Sequence, residues 1–341
     1  MIKVGICGIG FMGKMHYGVW SQLPDVKVIA IADPGEKKRQ GDWKDISGNI
    51  PGQTQDIVDL SHVHTYEDFS GVTGDPEVDV VDITLPTPLH HKAALLALKN
   101  RKHVFLEKPV ARTIKLADTI VAAAKKSKTN VMVGHCIRFW PEYVLLKEWY
   151  KTKKFGKLLS AVFRRVSPTP KYTTKNWILD GKLSGGAALD LHIHDTDFVN
   201  YLLGKPQTVL STGTIDKKQG PVHIVTQYFY KDKISITAEG GWNFPSAFPF
   251  EMSFVVNFSQ AVVEYNCNKI PVMVIYHADG TKEIPQVKPV TGYSEEIAYF
   301  VTCLTQGKKP AIATLSDARD SLKIVEAEVK SLESGKMVIL K

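Results

Sequence analysis

The sequence predicts an α/β protein in which a doubly wound parallel sheet is followed by a second domain rich in antiparallel strands. Three observations predict this fold class. Over the first 125 or so residues, short β-branched apolar runs alternate with longer helical patterns. After about residue 135 the pattern changes to longer alternating runs, and residues 316–332 return to helical periodicity. With 341 residues, the chain is long enough for about two domains, which we place at 1–125 and 126–341.

The elements of the parallel sheet follow in chain order. Strands are predicted at residues 2–7, 26–32, 78–84, 103–106 and 130–133. Between them, residues 13–23, 90–99 and 114–126 have helical length and spacing. This order is typical of βαβ units, whose parallel strands end at one common edge.

The second domain is predicted from its longer alternating runs. They occupy residues 158–165, 222–230, 234–242 and 252–257. A final helix at about 316–332 has Ser316 as its expected N-cap, Asp317 in its first turn and Gly335 just past its end.

Composition narrows the function classes. The formal net charge is +8, but Lys and Arg are dispersed along the chain, so no nucleic-acid partner is expected. The four cysteines form no C-x-x-C pair, which argues against a disulfide framework or a zinc ribbon. There is no window of about 18 uninterrupted apolar residues, the length of a membrane helix. We therefore expect a soluble, cytoplasmic protein without a membrane partner.

A glycine-rich loop stands between the first strand and the first helix. Residues 8–13 read G-x-G-x-x-G, a pattern that is weak evidence alone but stronger after a buried strand and before a helix. The free backbone N–H groups and the dipole of that helix would face a pyrophosphate. The predicted cofactor contacts in this loop are Gly8, Gly10, Phe11, Met12 and Gly13.

An acidic residue ends the second strand. Asp33 follows Gly13 by 20 residues, the interval expected for a carboxylate that binds the ribose hydroxyls of NAD. It would repel the 2′-phosphate of NADP, so NAD is the preferred cofactor. Lys37, Lys38 and Arg39 weaken that preference, and NADP stays possible.

Lys108 is the first candidate for chemistry. Within Glu107-Lys108-Pro109 it follows the apolar run 103–106, so its side chain should project from the carboxyl end of a parallel strand, where such sheets bind ligands. Pro109 restricts the backbone of Lys108 and is a site for a cis peptide bond. An exposed loop lysine is the alternative.

Asp190 and His194 form the second candidate. The segment 184–197 indicates a flexible, glycine-containing entry into a helix, on which Asp190, His194 and Asp197 would share one face. An acid one turn from a histidine can orient the ring and raise its basicity, as a general base requires. A purely structural acid-histidine pair is the alternative. No metal is expected, because His192 and His194 point to different sides of a helix and no third ligand is near.

These motifs together resemble the family of glucose-fructose oxidoreductase, inositol dehydrogenase and the rhizopine-catabolism protein (Gfo/Idh/MocA). The resemblance spans almost the whole chain. It rests on the glycine loop, on Thr84-Leu85-Pro86 followed by His90, on residues 102–109, and on G-G-x-x-x-D-x-x-x-H from Gly185 to His194.

The resemblance implies an N-terminal Rossmann domain and a C-terminal α/β domain whose open, mostly antiparallel sheet often forms the interface of a homodimer or homotetramer. It also implies that Lys108, Asp190 and His194 are catalytic. His194 would be the acid/base for the substrate hydroxyl, Asp190 would orient it or relay its proton, and Lys108 would hydrogen-bond the same oxygen. Further cofactor contacts are expected at Thr84, Pro86, His90, Glu107 and Lys108.

Three residues are candidate substrate contacts. Arg138 lies in the stretch that ends the nucleotide domain in the family, where the arginine lies near cofactor and substrate, so it is expected to contact the substrate or a residue that does, with a surface salt bridge as its alternative. Trp177, like Trp242, could stack against a sugar, although core packing is the more ordinary role of such residues. The third candidate, His192, stands where the family usually carries a small residue. Ser184 also departs from the family, because many members carry a third glycine at that position.

The function expected from this site is hydride transfer between NAD(P) and a secondary alcohol of a sugar, inositol or related polyol. One alternative is a glycoside-cleaving enzyme that oxidises its substrate only transiently. Another is a sugar-responsive regulator that binds NAD without turnover, but such a protein would be expected to lack Lys108 or His194.

Overall fold

The computed structural model describes residues 1–48, 56–171 and 173–340, which form two compact units. The first unit comprises Met1–Cys136, Lys171–Trp177 and Tyr293–Arg319. The second comprises Ile137–Pro170, Ile178–Gly292 and Asp320–Lys341. The chain therefore returns to the first unit twice, at Lys171 and again at Tyr293.

The strands and helices of the described residues are numbered in chain order. The strands are β1 Ile2–Cys7, β2 Val26–Ala32, β3 His64–Tyr66, β4 Val80–Ile83, β5 His103–Glu107, β6 Val131–Gly134, β7 Leu158–Pro168, β8 Thr208–Asp216, β9 Gly220–Phe229, β10 Ser235–Phe244, β11 Glu251–Phe258, β12 Ala261–Asn266, β13 Met273–His277, β14 Lys282–Glu283 and β15 Val338–Ile339. The helices are α1 Phe11–Gln22, α2 Glu36–Arg39, α3 Phe69–Gly74, α4 Thr87–Lys99, α5 Ile114–Ser127, α6 Pro141–Thr152, α7 Gly181–Ser184, α8 Ile193–Leu203, α9 Gly292–Thr305 and α10 Leu315–Ser334. Short 3₁₀ turns lie at Cys136–Arg138 and Thr174–Leu179, and a π-helical turn lies at Ala188–His192. Across these ranges no helix is both long and apolar enough to span a membrane.

The first unit is built on the predicted parallel sheet, which the structure confirms. Its strand order is β3-β2-β1-β4-β5-β6, and every neighbouring pair is parallel. The four residues of β4 and the last four of β1 are buried, as expected for central strands covered on both faces. Because the order reverses between β1 and β4, the crevice outside their carboxyl ends is the expected ligand site.

The second unit contains a nine-stranded sheet in the order β14-β13-β12-β11-β7-β10-β9-β8-β15. Neighbouring strands in this sheet are antiparallel, except for the parallel pair β7 and β10, and this confirms the predicted mostly antiparallel sheet. Val162 and Val255 pair across β7 and β11 and are 49% and 45% exposed. That exposed apolar pair suits a subunit interface, and the homodimer or homotetramer stays a prediction.

The start of α10 corrects one sequence expectation. The helix begins at Leu315, one residue before the expected N-cap Ser316, and it is capped by Thr314. The Thr314 hydroxyl accepts the Asp317 N–H at 3.1 Å, and the Asp317 carboxylate accepts the Thr314 N–H at 2.9 Å. This reciprocal capping box satisfies two backbone donors, which a cap at Ser316 would not do. Gly335 follows the helix with φ +66°, as predicted.

Candidate active site

The three glycines of the loop between β1 and α1 have three different environments. Gly8 has φ +97°, and a Cβ on Gly13 would lie 2.0 Å from the carbonyl oxygen of Gly8. A Cβ on Gly10, in contrast, would meet no atom within 4 Å. Thr84 holds the turn from β4, because its hydroxyl donates to the Gly8 carbonyl at 2.7 Å. Gly8 and Gly13 therefore allow the tight turn, and Gly10 keeps its outer side open to a phosphate group.

The amino terminus of α1 has the features of an anion site. The helix begins at Phe11, and its N-cap Gly10 supplies no side chain to the first-turn N–H groups. The Phe11 ring packs on the backbone at Gly48, where a Cβ would lie 2.2 Å from it. The open side of Gly10 and the uncapped helix end therefore fit the pyrophosphate of a dinucleotide, which Phe11 and Met12 would face with backbone N–H groups.

Asp33 is held at the end of β2 by backbone donors. Its two carboxylate oxygens accept the N–H groups of Ile9 at 2.9 Å and Gly35 at 2.8 Å. Lys38 lies 3.4 Å from the same carboxylate, while Arg39 donates to the Asp33 carbonyl at 2.8 Å. The carboxylate thus has a fixed orientation and keeps lone pairs that can accept ribose hydroxyls.

His90 joins the loops that follow β4 and β5. Its ring nitrogens lie 2.8 Å from the Pro109 carbonyl oxygen and 2.7 Å from that of Leu85. The ring is buried, and burial lowers the pKa of His90 below its ordinary value. Pro86 immediately precedes α4. The structure therefore gives His90 a supporting place under the cofactor loops, and we do not retain it as a direct cofactor contact.

Strand β5 ends at Glu107, and Lys108 follows it directly. The Glu107 side chain is buried, and it accepts the backbone N–H of Lys108 at 3.0 Å. Lys108 is half-buried and is joined to Pro109 by the cis peptide bond that the sequence suggested. Because the carboxylate of Glu107 turns inward, we revise its expected role from cofactor contact to support of the Lys108 backbone.

In the second unit, Asp190 and His194 lie at the junction of the π-helical turn and α8. Asp190 is half-buried within the turn Ala188–His192, and His194 is 8% exposed in the first turn of α8. Gly186 precedes them with φ +70°, and a Cβ there would lie 2.5 Å from the Pro221 carbonyl oxygen. Single π-helical turns are rare and are frequent at functional sites.

Asp197 lies in α8 three residues after His194, whereas Asp190 lies outside that helix, in the π-helical turn. The expectation that all three residues share one helix face therefore holds only for His194 and Asp197. The Asp197 carboxylate forms a buried, bidentate ion pair with Arg138 at 2.7 and 2.8 Å. Ser321 donates to the same carboxylate at 2.7 Å, and Tyr201 lies 4.5 Å from the Arg138 guanidinium. Arg138 is thus a buried ion-pair partner of Asp197 and not the surface salt bridge of the alternative, and its place behind or at the substrate stays a prediction.

His192 also lies in the protein interior. Its side chain is completely buried, 3.4 Å from the carboxylate of Glu328. Gly240 of β10 makes room for it, because a Cβ there would lie 2.6 Å from the Cβ of His192. Trp177 is half-buried in a 3₁₀ turn and stays a candidate contact, whereas Trp242 is 1% exposed and belongs to the core.

One buried group of polar residues in the first unit was missed by sequence reasoning. It contains His16 of α1, Asp82 of β4, Glu107 of β5 and Glu296 of α9. His16 comes three residues after Gly13, so its position on the first helix was visible. Glu296 has no comparable signal, because the sequence does not show that α9 returns to the first unit.

Comparison with known proteins decides the family. Residues 2–135 match the model described as the oxidoreductase family with an NAD-binding Rossmann fold. Residues 143–264 match the model of the Gfo/Idh/MocA C-terminal domain. The chain belongs to the Gfo/Idh/MocA oxidoreductase family. Its first domain is therefore an NAD-binding Rossmann domain, as the glycine loop and Asp33 predicted.

Individual relatives are distant. The chain is 30% identical over 207 residues to the uncharacterized oxidoreductase YrbE of Bacillus subtilis, a match that covers 61% of this chain and 55% of that protein. It is 25% identical to scyllo-inositol 2-dehydrogenase (NAD(+)) of the same organism, over 99% of this chain and 96% of that one. Its fold superimposes on levoglucosan dehydrogenase, solved with NADH and levoglucosan, with a TM-score of 0.83, 18% identity and 99% coverage of both chains.

Proposed function

We propose that this protein transfers a hydride between NAD and a secondary alcohol of a sugar, inositol or related polyol. The observation that carries the proposal is the position of Lys108 in the NAD-binding domain. Lys108 directly follows the carboxyl end of β5, and such sheets bind their ligands at this edge. Asp190 and His194 supply the acid/base pair that alcohol oxidation requires. The inositol and levoglucosan dehydrogenases among its relatives support the same substrate class.

Each residue has a defined task in this proposal. His194 removes the proton from the substrate hydroxyl, and Asp190 orients the imidazole or relays its proton. Lys108 hydrogen-bonds the same oxygen and stabilises the negative charge that develops there. When bound, NAD supplies the hydride acceptor. Gly10 and the first turn of α1 would hold its pyrophosphate, Gly13 would keep the loop tight, and Asp33 would bind its ribose.

The proposal is tested by mixing the purified protein with NAD and a panel of polyols, inositols and aldoses while NADH absorbance is followed. Oxidation of one class above the others is expected. No change in NADH absorbance with any compound, in either the oxidative or the reductive direction, would contradict the proposal. Release of the aglycone from aryl glycosides without net NADH would instead identify the glycoside-cleaving alternative. The regulator hypothesis has no observation in its favour, since Lys108 and His194 are both present.

Asp33 should decide the choice between NAD and NADP. Asp33→Ser removes the charge that repels a 2′-phosphate and leaves Lys38 and Arg39 close by. We expect the ratio of the Kd values for NADH and NADPH to shift toward NADPH by roughly 100-fold, or about 2.7 kcal/mol. Fluorescence titration with both cofactors measures it. Asp45→Ser, at an exposed aspartate, is the control, and an unchanged ratio in Asp33→Ser would remove Asp33 from the ribose site.

A further inference from the structure

The buried group His16, Asp82, Glu107 and Glu296 contains three carboxyl groups and one imidazole. Asp82 accepts hydrogen bonds from His16 Nδ1 at 2.9 Å and from Trp20 Nε1 at 2.7 Å. His16 Nε2 lies 3.2 Å from Glu107 Oε1, close enough for an ion pair although it is not aligned for a hydrogen bond. Both ring nitrogens of His16 therefore face carboxylates, an arrangement that favours the doubly protonated imidazolium.

Glu296 is the member without a compensating partner. Its side chain is 0% exposed, and neither of its carboxyl oxygens has a hydrogen-bond partner among the described residues. One of these oxygens lies within 4.8 Å of both His16 and Glu107, the reach of a direct contact or of one bridging water. The edges of this region are apolar, since Phe105 packs on His16 at 5.5 Å and on Phe300 of α9 at 5.6 Å.

The surrounding charges favour the protonated form of the Glu296 carboxyl group. Its titratable neighbours in the described chain are His16 from α1, Asp82 from β4 and Glu107 from β5, and Lys108 adds a positive charge next to Glu107. One imidazolium already faces two carboxylates, so a third ionised carboxyl group would be buried without a counter-charge. Burial, followed by the charge of Glu107, raises the pKa of Glu296 well above its ordinary value.

The other two pKa shifts agree with this assignment. Burial alone would lower the pKa of His16, but the charge of Asp82 and the contacts with Asp82 and Glu107 raise it well above the ordinary value. Burial alone would raise the pKa of Glu107, but the contact with His16 lowers it overall. At neutral pH the group then holds an imidazolium, two carboxylates and one neutral acid.

We propose that Glu296 is a positioning residue that keeps its proton at neutral pH and directs it at Glu107 Oε1, directly or through one water. The proton gives Glu107 Oε1 a donor, while Glu107 Oε2 accepts the backbone N–H of Lys108. Helix α9 thereby fixes the carboxylate that supports the backbone of the proposed catalytic lysine. This inference rests on the proposed function only for its effect on turnover.

A metal ion is the competing occupant, because His16, Glu107 and Glu296 can offer three ligand atoms within 4.8 Å of one another. A metal would need the lone pair of His16 Nε2, which an imidazolium lacks. The two interpretations predict different behaviour of Glu296→Gln. Glutamine resembles a neutral carboxylic acid, but it is a poor replacement for a carboxylate ligand.

The first test measures stability against pH by denaturant unfolding of Glu296→Gln, with Glu295→Gln on the same helix as the matched control. A carboxyl group whose pKa is raised by folding makes the folded protein lose stability as pH rises, from its unfolded pKa up to its folded pKa. The ratio of folded to unfolded protein should therefore increase in Glu296→Gln relative to the wild type. The expected increase is up to about tenfold for each pH unit between pH 5 and 8. Glu295→Gln should show no such trend.

The second test measures steady-state kinetics and NADH binding. Glu296→Ala should lower kcat by about 10- to 100-fold, because Glu107 and the Lys108 backbone lose their support. Its Kd for NADH should change by less than about threefold, because the residues that hold the cofactor are untouched, and Glu296→Gln should restore most of the loss in kcat.

Two results would overturn the assignment. One is a Glu296→Gln protein that is as impaired as Glu296→Ala, with no gain in relative stability at high pH. The other is one equivalent of divalent metal in the purified wild type that is lost in Glu296→Gln. If the wild type oxidises no polyol, the proposed function fails, but the pH-dependent stability still tests the proton on Glu296.

Discussion

Lys108→Met and His194→Asn should each lower kcat by about 10³-fold while NADH binding changes by less than about threefold. Both side chains are proposed to act on the substrate oxygen, so each substitution removes stabilisation that exists mainly in the transition state. Stopped-flow turnover and fluorescence titration of NADH measure the two effects separately.

The matched controls are an exposed lysine and an exposed histidine of the same unit as Lys108. Lys92→Met and His62→Asn should keep wild-type turnover, because both positions are exposed. Activity within about tenfold of the wild type in Lys108→Met or His194→Asn would contradict the assignment of that residue, since general acid/base groups contribute at least about 10²-fold.

The second large effect is expected at the glycine loop, where two alanine substitutions should separate folding from cofactor binding. Gly13→Ala places a methyl group 2.0 Å from the Gly8 carbonyl oxygen, so it should lower the melting temperature and abolish NADH binding. Gly10→Ala meets no atom within 4 Å, so it should fold normally but raise the Kd for NADH by roughly 100-fold.

Gly74→Ala controls for the loss of a glycine, because a Cβ at Gly74 also meets no atom within 4 Å and lies outside the loop. Melting curves without cofactor and NADH titrations distinguish the three variants. A Gly10→Ala protein that binds NADH as tightly as the wild type would show that the pyrophosphate does not approach this glycine.

The parallel sheet of the first unit was predictable because its signals are local. The strands β1 and β2 have the predicted bounds, since continuous β-branched apolar runs are bounded by the glycine loop and by Asp33. The parallel arrangement followed from the alternation of strand and helix patterns. Lys108 could be placed at the ligand-binding edge because it directly follows an apolar run that is recognisable as a strand.

The remaining features depend on residues that are distant in sequence. The ion-pair partners of Arg138 and His192 could not be predicted, because Asp197 and Glu328 lie 59 and 136 residues further along the chain. The short strand β3 was missed because its three residues, His64–Tyr66, contain no apolar run. No residue pattern predicted the π-helical turn at Ala188–His192, which alters the helical spacing between Asp190 and the residues of α8.

The transfer of deuterium from substrate to cofactor tests the central claim most directly. The protein is incubated with NAD and with its best polyol substrate deuterated at the carbinol carbon, and the isolated NADH is examined by mass spectrometry. Hydride transfer from that carbon predicts NADH that carries the deuterium, with no label gained from D₂O when unlabelled substrate is used. Unlabelled NADH from the deuterated polyol would contradict the account.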